Sequence, residues 1–321
     1  MKIGKMVTDA APASSSRSKL INEKGFFSRL TDRTSESRGK LLIYGSALLM
    51  IVAVTAITLF LTVQGLRSFV VDRLNFWTFI TGTEWFPDRA ENPSFGAFPF
   101  IFGSMAVTFL AALIATPIAI GTAIFMAEIA KKWGAKIMQP VIEILVGIPS
   151  VVYGLIGLSI IVPFMRQHFG GTGFNLITGA IVVGIMILPT VASIAADSIR
   201  AVPDSLRQAS YAIGATKWQT IWRVVIPAAG SSLLTAIILG MSRAFGEALA
   251  VQMVIGNVGK IPTSILDPSA TLTTIITLSM GHTTTGSLLN DALWSLGLIL
   301  LLISYVFIVI IRFIGKRGEK R

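Results

Sequence analysis

Six long apolar stretches dominate the chain, and polar or charged segments separate them. A helix needs roughly 20 mainly apolar residues to cross about 30 Å of hydrocarbon in a bilayer. Each stretch is long enough, so the pattern predicts an all-α polytopic membrane protein with six transmembrane helices. The stretches lie near residues 41–63, 98–126, 142–163, 174–196, 227–255 and 291–311.

The composition agrees with this prediction and excludes several kinds of chemistry. Of 321 residues, 53% are hydrophobic and 13% are charged, with a mean hydropathy of +0.75; about a quarter of the residues of a typical soluble protein are charged. The chain has no cysteine and only two histidines, His168 and His282, both in predicted extracytoplasmic segments. We therefore predict no catalytic residue and no metal site, and a membrane enzyme is disfavoured.

The basic residues are distributed unevenly between the polar segments. A net charge of +11 would indicate a nucleic-acid partner in a soluble protein. Here the first, third, fifth and seventh polar segments together hold 21 basic residues, and the other three hold 5. Cytoplasmic segments of membrane proteins are enriched in Lys and Arg, so we predict cytoplasmic N- and C-termini and no nucleic-acid partner.

The two ends of the chain are predicted to be basic cytoplasmic tails. Residues 1–40 are too polar to bury a core, and we expect them to be flexible at least as far as Ser18. The 23 uncharged residues of 41–63 exceed the apolar core of a signal peptide, so they predict a permanent first helix. The permease core is predicted at 98–311 and the second tail at 312–321.

Two predicted extracytoplasmic segments contain apolar residues. The segment 64–97 holds Trp77, Trp85 and Phe86, which form either an aromatic belt at the membrane interface or part of an ordinary exposed loop. The stretch Ala270–Met280 is apolar but too short to span a bilayer. It is either a re-entrant or interfacial helix or a surface loop.

The cytoplasmic loop 197–226 carries signals for two short helices. Pro203 suits a first helical turn, and Gly214 suits the left-handed residue that ends a helix. Thr216 and Gln219 form a capping box that begins the second helix. A DNA-binding helix-turn-helix has a similar shape, but both ends of this loop are tied to the bilayer, which disfavours that interpretation.

Two charged residues, Arg243 and Glu247, lie inside the fifth apolar stretch. Each costs roughly 2.5 to 3.5 kcal/mol at the centre of a membrane helix. Four residues apart, they are predicted to share a helix face and to pair. The same face continues through Ala236 and Gly240, where another helix can approach closely.

Two interpretations of this pair remain open. It either locks helix packing or lies on a substrate path, where the planar guanidinium suits an oxyanion and the carboxylate holds it in place. Because the pair is neutral overall, a path for a multiply charged anion is expected to need a second cationic site, for example on a partner subunit.

The cytoplasmic loop also has a specific spacing. Three residues separate Gln208-Ala209-Ser210 from Gly214, and nine more precede Val224-Val225-Ile226-Pro227. In this register the loop resembles the signature of ATP-binding-cassette importer permeases, with Gln208 in place of the usual Glu and Ser210 in place of Ala. The resemblance implies a coupling element at 203–226 that docks on a separate ATPase, with these coupling residues: Arg207, Gln208, Ala209, Ser210, Gly214 and Pro227.

The ATPase is expected on another chain. No Gly-x-x-x-x-Gly-Lys followed by Ser or Thr occurs in the sequence, so the usual phosphate-binding loop is missing. We therefore expect no cofactor on this chain, and ATP and Mg to be used by the partner ATPase.

Three further stretches indicate which group of importer permeases the chain resembles: Arg243–Val251, Glu143–Gly154, and Leu188–Ala192 with Ala201–Pro203. They are similar to the C-type permease subunit of the phosphate-specific importer, and the likeness covers roughly residues 98–255. It implies the type I ABC importer fold in a bacterial cytoplasmic (inner) membrane. Arg243 and Glu247 then serve phosphate passage.

The resemblance also implies partners and a function. An A-type permease subunit completes the pore, an ATPase dimer drives it, an extracytoplasmic phosphate-binding protein delivers substrate, and lipid surrounds it. The hypothesis is import of inorganic phosphate by alternating access. Alternatives are another oxyanion such as molybdate or sulfate, or a secondary carrier or channel, although the two similar halves frequent in secondary carriers are not evident. A pore made from two copies of this chain also stays open.

Overall fold

The computed structural model describes residues 14–87, 93–130 and 133–318. Almost all of the regular structure in these ranges is helical. The helices are α1 (Ser14–Val70), α2 (Phe76–Thr81), α3 (Phe98–Ile124), α4 (Trp133–Gly147), α5 (Ser150–Ile156), α6 (Val162–Phe169), α7 (Leu176–Arg200), α8 (Asp204–Ala212), α9 (Lys217–Thr220), α10 (Ile226–Ala228), α11 (Gly230–Phe245), α12 (Leu249–Gln252), α13 (Leu272–Ser279) and α14 (Leu288–Gly318). The strands are β1 (Trp85–Phe86) and β2 (Ser94–Phe95).

Short turns of other helix types join several of these helices. Turns of π-helix occupy Phe125–Ile129 after α3, Gly157–Ile161 between α5 and α6, and Ile221–Val225 between α9 and α10. A 3₁₀ turn, Met280–His282, follows α13. A π-turn adds one residue to a helix and is frequent at functional sites.

The chain divides into two compact units, residues 1–60 and 61–321. The side chains of residues 41–60 in the first unit are exposed, including large apolar ones such as Leu49 and Ile57. The first 13 residues of the predicted flexible tail lie outside the described residues, and the backbone is helical from Ser14.

The predicted membrane spans agree well with the helices at four positions. Segments long and apolar enough to cross a membrane run over Gly39–Val70, Phe98–Ile129, Leu176–Arg200 and Leu288–Ile310. These correspond to the first, second, fourth and sixth predicted stretches. Hydropathy finds them because each is an uninterrupted helix longer than the bilayer requires.

The predicted third span, 142–163, is wrong at its start. Helix α4 ends at Gly147, and the candidate span begins at Ser150 and continues to Phe169. Pro149 separates the two helices and has an extended backbone conformation, with ψ of 140°. Proline disfavours a helical backbone at the residue before it, here Ile148, and Pro149 itself leaves the helical region, so α4 and α5 are separate helices.

The predicted fifth span, 227–255, is not one continuous helix. Residues Lys217–Ala228 and Gly230–Phe245 form a bent pair with an angle of 70° between them. A second interruption follows Phe245, because α11 ends there and α12 begins only at Leu249. Counting the bent pair as one span gives up to six spans among the described residues.

Helix α7 lies at the centre of the second unit. Of its most apolar window, 61% is buried within the chain, compared with 39% for the α3 span. Small side chains on both helices make this packing close, and an added Cβ at Gly184 would lie 3.3 Å from the carbonyl oxygen of Ala111. Helices in membranes associate through such small residues because lipid removes the usual hydrophobic driving force.

The described parts of the segment 64–97, residues 64–87 and 93–97, are folded rather than an open loop. Strands β1 and β2 pair antiparallel. The ring of Trp85 packs edge-on against Phe95 and Phe100, with centroid distances of 5.6 and 5.1 Å. Trp77 is exposed. Phe86 is exposed too, so Trp77 and Phe86 are candidates for an aromatic belt, whereas Trp85 packs in the core.

The stretch Ala270–Met280 is a short helix and not a surface loop. Helix α13 covers Leu272–Ser279, and Ala270 and Leu272 are buried. The Leu272 amide donates to the Ser104 hydroxyl of α3 at 2.9 Å. Such non-spanning backbone is tolerated when protein surrounds it.

The small-residue face predicted at Ala236 and Gly240 is confirmed, and it generates a stability prediction. A Cβ on Gly240 would lie 2.4 Å from Cγ2 of Val191 on α7, whereas nothing lies within 4 Å of one on Gly121 in α3. Gly240→Ala should be less stable than Gly121→Ala by about 1 to 3 kcal/mol, the usual effect of overpacking. Thermal unfolding of the purified chain in detergent measures the difference.

The double variant Gly240→Ala/Val191→Ala removes the opposing methyl groups and should recover part of this loss. Equal stability of Gly240→Ala and Gly121→Ala would contradict the close contact between α11 and α7.

Candidate functional site

The loop 203–226 folds into the two helices that the sequence predicts. Helix α8 begins at Asp204 after Pro203, and Gly214 follows it with a φ of +83°. The Thr216 hydroxyl accepts from the Gln219 amide, while the Gln219 side chain accepts from the Thr216 amide. The local capping signals were sufficient because each involves residues close together in the chain.

Helix α8 presents most of its surface to the outside of the chain. Gln208 and Ala209 are exposed, whereas Arg207 and Ser210 are buried. Tyr211 is also exposed, and Ile213, just beyond the helix, is 86% exposed. An apolar residue this exposed is available for contact with another protein.

The buried side of α8 is held by polar contacts. Ser210 and Thr220 share a hydrogen bond of 2.9 Å between their hydroxyl oxygens. Nε of Arg207 donates to Oε1 of Glu128 at 2.9 Å, and Nη2 lies 2.7 Å from the same oxygen, so the two residues form an ion pair. Sequence reasoning named Arg207 as a coupling residue but missed Glu128.

The only sequence signal for Glu128 is an acid inside the apolar run 124–130. Its partner is 79 positions away, so no spacing rule connects the two residues. Pro227, the last predicted coupling residue, lies in α10 just before the 70° bend.

The second group of candidate residues surrounds the interruption after α11. Arg243 lies in the last turn of α11, and its Nη1 donates to the Thr190 hydroxyl of α7 at 2.8 Å. Both Arg243 and Glu247 are half-buried. Within the described ranges, no carboxylate lies at ion-pair distance from Arg243.

The predicted Arg243–Glu247 ion pair is therefore wrong. The prediction assumed one helix through both residues, but α11 ends at Phe245 and Glu247 lies beyond it. Glu247 Oε1 instead accepts from the amide of Ala250 at 3.1 Å. A carboxylate there satisfies a free amide of the first turn of α12 and favours the positive end of that helix.

Helix α13 closes this region from another direction. The Thr273 hydroxyl donates to the carbonyl oxygen of Glu247 at 2.7 Å, and the Thr277 hydroxyl donates to Gln252 Oε1 at 3.0 Å. The Thr273 hydroxyl thus satisfies one backbone carbonyl of the interruption, as buried irregular backbone requires.

No group of three or more His, Cys, Asp or Glu side chains that could hold a metal ion occurs among the residues that the structure describes. The arrangement instead offers the Arg243 guanidinium, held at Nη1 by the Thr190 hydroxyl, and the separate carboxylate of Glu247. The remaining N–H groups of the guanidinium suit an oxyanion.

A sequence model of the family described as "binding-protein-dependent transport system inner membrane component" matches residues 119–320, which is more than half of the chain. The chain belongs to this family. Its members are inner-membrane components of transport systems, so this chain is a permease component located in the inner membrane.

Curated relatives agree. The chain is 55% identical over 300 residues to the probable ABC transporter permease protein YqgH of Bacillus subtilis (strain 168), covering 93% of this chain and 97% of the relative. It is 35% identical over 265 residues to the phosphate transport system permease protein PstC of Pasteurella multocida (strain Pm70), covering 76% and 81%. These relatives are described as transport permeases.

The fold is also that of ABC importer permeases. A chain in the crystal structure of a bacterial alginate ABC transporter, bound to an alginate-loaded periplasmic protein, superposes with a TM-score of 0.58. The match covers 86% of this chain and 94% of that one at 14% identity. The predicted all-α importer fold is confirmed.

Gly214 gives a test of how the coupling element is built. At a φ of +83° with nothing within 4 Å of an added Cβ, Gly214→Ala meets only backbone strain, roughly 1 to 2 kcal/mol for a left-handed residue. Hydrogen exchange of residues 204–220 should therefore accelerate in Gly214→Ala and less in Gly214→Asn, because Asn tolerates this conformation.

Gly147→Ala is the matched control, since an added Cβ there also meets nothing within 4 Å and its φ is not left-handed. Exchange over 204–220 that is equally fast in the Gly214→Ala and Gly147→Ala variants would contradict the strained turn.

Proposed function

We propose that this chain is the C-type permease subunit of an ATP-driven importer of inorganic phosphate. It forms half of a membrane pore that works by alternating access. The 203–226 loop couples it to a separate ATPase dimer, which uses ATP and Mg. The proposal joins the family assignment to the phosphate permeases among its relatives and to the chemistry around Arg243.

The observation that carries the proposal is the state of Arg243. Its guanidinium is half-buried in the membrane-spanning region, is oriented by Thr190, and has no carboxylate at ion-pair distance in the described part of the chain. A fixed cation without a direct counter-ion attracts an anion more strongly than a neutral pair does. The planar fork of donors matches two oxygens of a tetrahedral oxyanion.

Glu247 has a different part in this proposal. Its carboxylate is engaged at the start of α12, and a carboxylate near the path limits how tightly an anion is held. A transport site must bind its ion favourably and also release it. The second cationic site expected from the sequence is assigned to the companion A-type subunit.

The exposed face of α8 supports the coupling role. Gln208, Ala209, Tyr211 and Ile213 face outward, where an ATPase groove can receive them. Gln208 replaces the acid common at this position, so docking here depends on apolar contact and an amide rather than on an ion pair.

The orientation follows from the basic residues. Both termini and the 203–226 loop are assigned to the cytoplasm, where the ATPase resides, because the segments on that side hold 21 of the basic residues. Segments 64–97 and 256–290 then face outward and receive an extracytoplasmic phosphate-binding protein. A companion A-type permease completes the pore.

Uptake of labelled phosphate in cells lacking the native subunit tests the substrate path. Arg243→Ala should reduce uptake about tenfold or more, because hydrogen bonds to a charged group contribute about 1.5 to 3 kcal/mol. Arg243→Lys should retain part of the phosphate uptake. Uptake should be lower in Thr190→Val than in Thr190→Ser, because only Ser keeps the hydroxyl. Lys136→Ala, which removes an exposed cation of α4, is the control.

An Arg243→Ala variant that assembles in normal amount and transports at the wild-type rate would remove Arg243 from the path. Competition of the same uptake with sulfate and molybdate decides between oxyanions: stronger competition by either one than by unlabelled phosphate would reassign the substrate. Uptake that persists without ATP would indicate a secondary carrier or channel.

Cysteine cross-linking tests the coupling face. The chain has no native cysteine, so one introduced residue reports one position. Gln208→Cys should cross-link to a cysteine placed in the ATPase surface groove, whereas Ser210→Cys on the buried side of α8 should not. A functional complex in which both positions behave alike would count against docking through this face.

A further inference from the structure

Arg207 is the main polar link between α8 and the spanning helices. Its side chain is 7% exposed and that of Glu128 is 2% exposed. Besides the two contacts to Glu128, Nη2 donates to the carbonyl oxygen of Ile199 at 2.8 Å, and Nη1 donates to the carbonyl oxygen of Val202. Nη1 also contacts Oδ1 of Asp204 at 3.1 Å.

These contacts reach three different elements. Arg207 belongs to α8, Glu128 to the π-turn that ends the α3 span, and Ile199 to the last turn of α7. The final carbonyl groups of a helix lack intrahelical partners and carry its negative end. A buried guanidinium at this point satisfies such groups while pairing with Glu128.

A buried ion pair has a property that an apolar contact lacks. The hydrophobic effect has no preferred direction, whereas separating a buried pair leaves an uncompensated charge, which is strongly unfavourable. The fork of donors also fixes the direction of approach. The two residues therefore hold α8 in one position relative to α3 and α7.

We propose that the Glu128–Arg207 pair transmits movement between α8 and the ends of α3 and α7, making the three elements one rigid body. This inference rests on the proposed coupling to an ATPase. Arg207 and Glu128 are positioning residues: neither touches phosphate, and Arg207 does not belong to the exposed docking face. Without the pair, α8 still docks but its displacement is not delivered to the helix that orients Arg243.

The test uses the complete importer, this chain with its partner subunits, in proteoliposomes. The amount of assembled complex, ATP hydrolysis and phosphate transported are measured together. In Glu128→Gln and Arg207→Lys, phosphate moved per ATP should fall about fivefold or more, the scale of typical coupling between sites. The Gln208→Cys cross-link should remain.

Asp197→Asn is the matched control. It removes the exposed Asp197–Arg200 pair at the end of α7, with contacts of 3.1 Å and side chains 69% and 36% exposed, and should keep the wild-type ratio. A proportional loss of hydrolysis and transport in Glu128→Gln, or an unchanged ratio, would overturn the transmission role.

A second variant covers the case in which Glu128→Gln does not assemble. Glu128→Gln/Arg207→Gln removes both charges of the buried pair, and the carboxylate that also loses a partner, Asp204, is 76% exposed. This variant should assemble and should move less phosphate per ATP than the wild type; a wild-type value of phosphate moved per ATP would overturn the inference. Hydrogen exchange over 204–212 needs no substrate, and should be faster in Glu128→Gln than in Asp197→Asn. Equal exchange also overturns it.

These outcomes are separate from those of the proposed function. A wild-type importer that takes up no phosphate with ATP refutes the proposed function. The hydrogen-exchange comparison of Glu128→Gln with Asp197→Asn still tests whether the ion pair holds α8 in place. A working wild-type importer with an unchanged ratio in the variants refutes only the role of the pair.

Discussion

The close packing of α7 between α3 and α11 is the contact on which both functional regions depend. Gly184 and Gly240 let the backbones approach because a Cβ at either position would lie within 3.4 Å of the facing helix. With α7 held there, Thr190 meets Arg243 and the last turn of α7 meets Arg207. A larger residue at either glycine would displace the helix that carries both contacts.

Both contacts also lie on one uninterrupted helix. Thr190 and Ile199 are nine positions apart in α7, which corresponds to roughly 14 Å at 1.5 Å per residue. The interruptions occur instead in the neighbours, after Gly147 and after Phe245. The fold thus combines one continuous helix, α7, with neighbouring helices that are broken, so the two contacts are joined along a single element.

The sequence predicts what depends on neighbouring residues. Hydropathy located four of the spans, and the capping signals at Pro203, Gly214 and Thr216 predicted the two-helix loop. Hydropathy does not detect backbone breaks, because it averages over a long window: the breaks near Pro149 and Gly246 lie within stretches that are apolar overall, even though Arg243 and Glu247 flank the second break. Contacts between distant residues, such as Arg243 with Thr190, 53 positions apart, leave no periodic signal that spacing could reveal.

The π-turn at Phe125–Ile129 has a consequence for which side chains meet. An α-helix rotates about 100° per residue, so one additional residue in a turn rotates everything after it by about that angle. Glu128 lies inside this turn, so the widened backbone contributes to the direction in which its carboxylate meets Arg207. The number of residues in a turn, and not only the type of each residue, therefore decides which charged side chains meet.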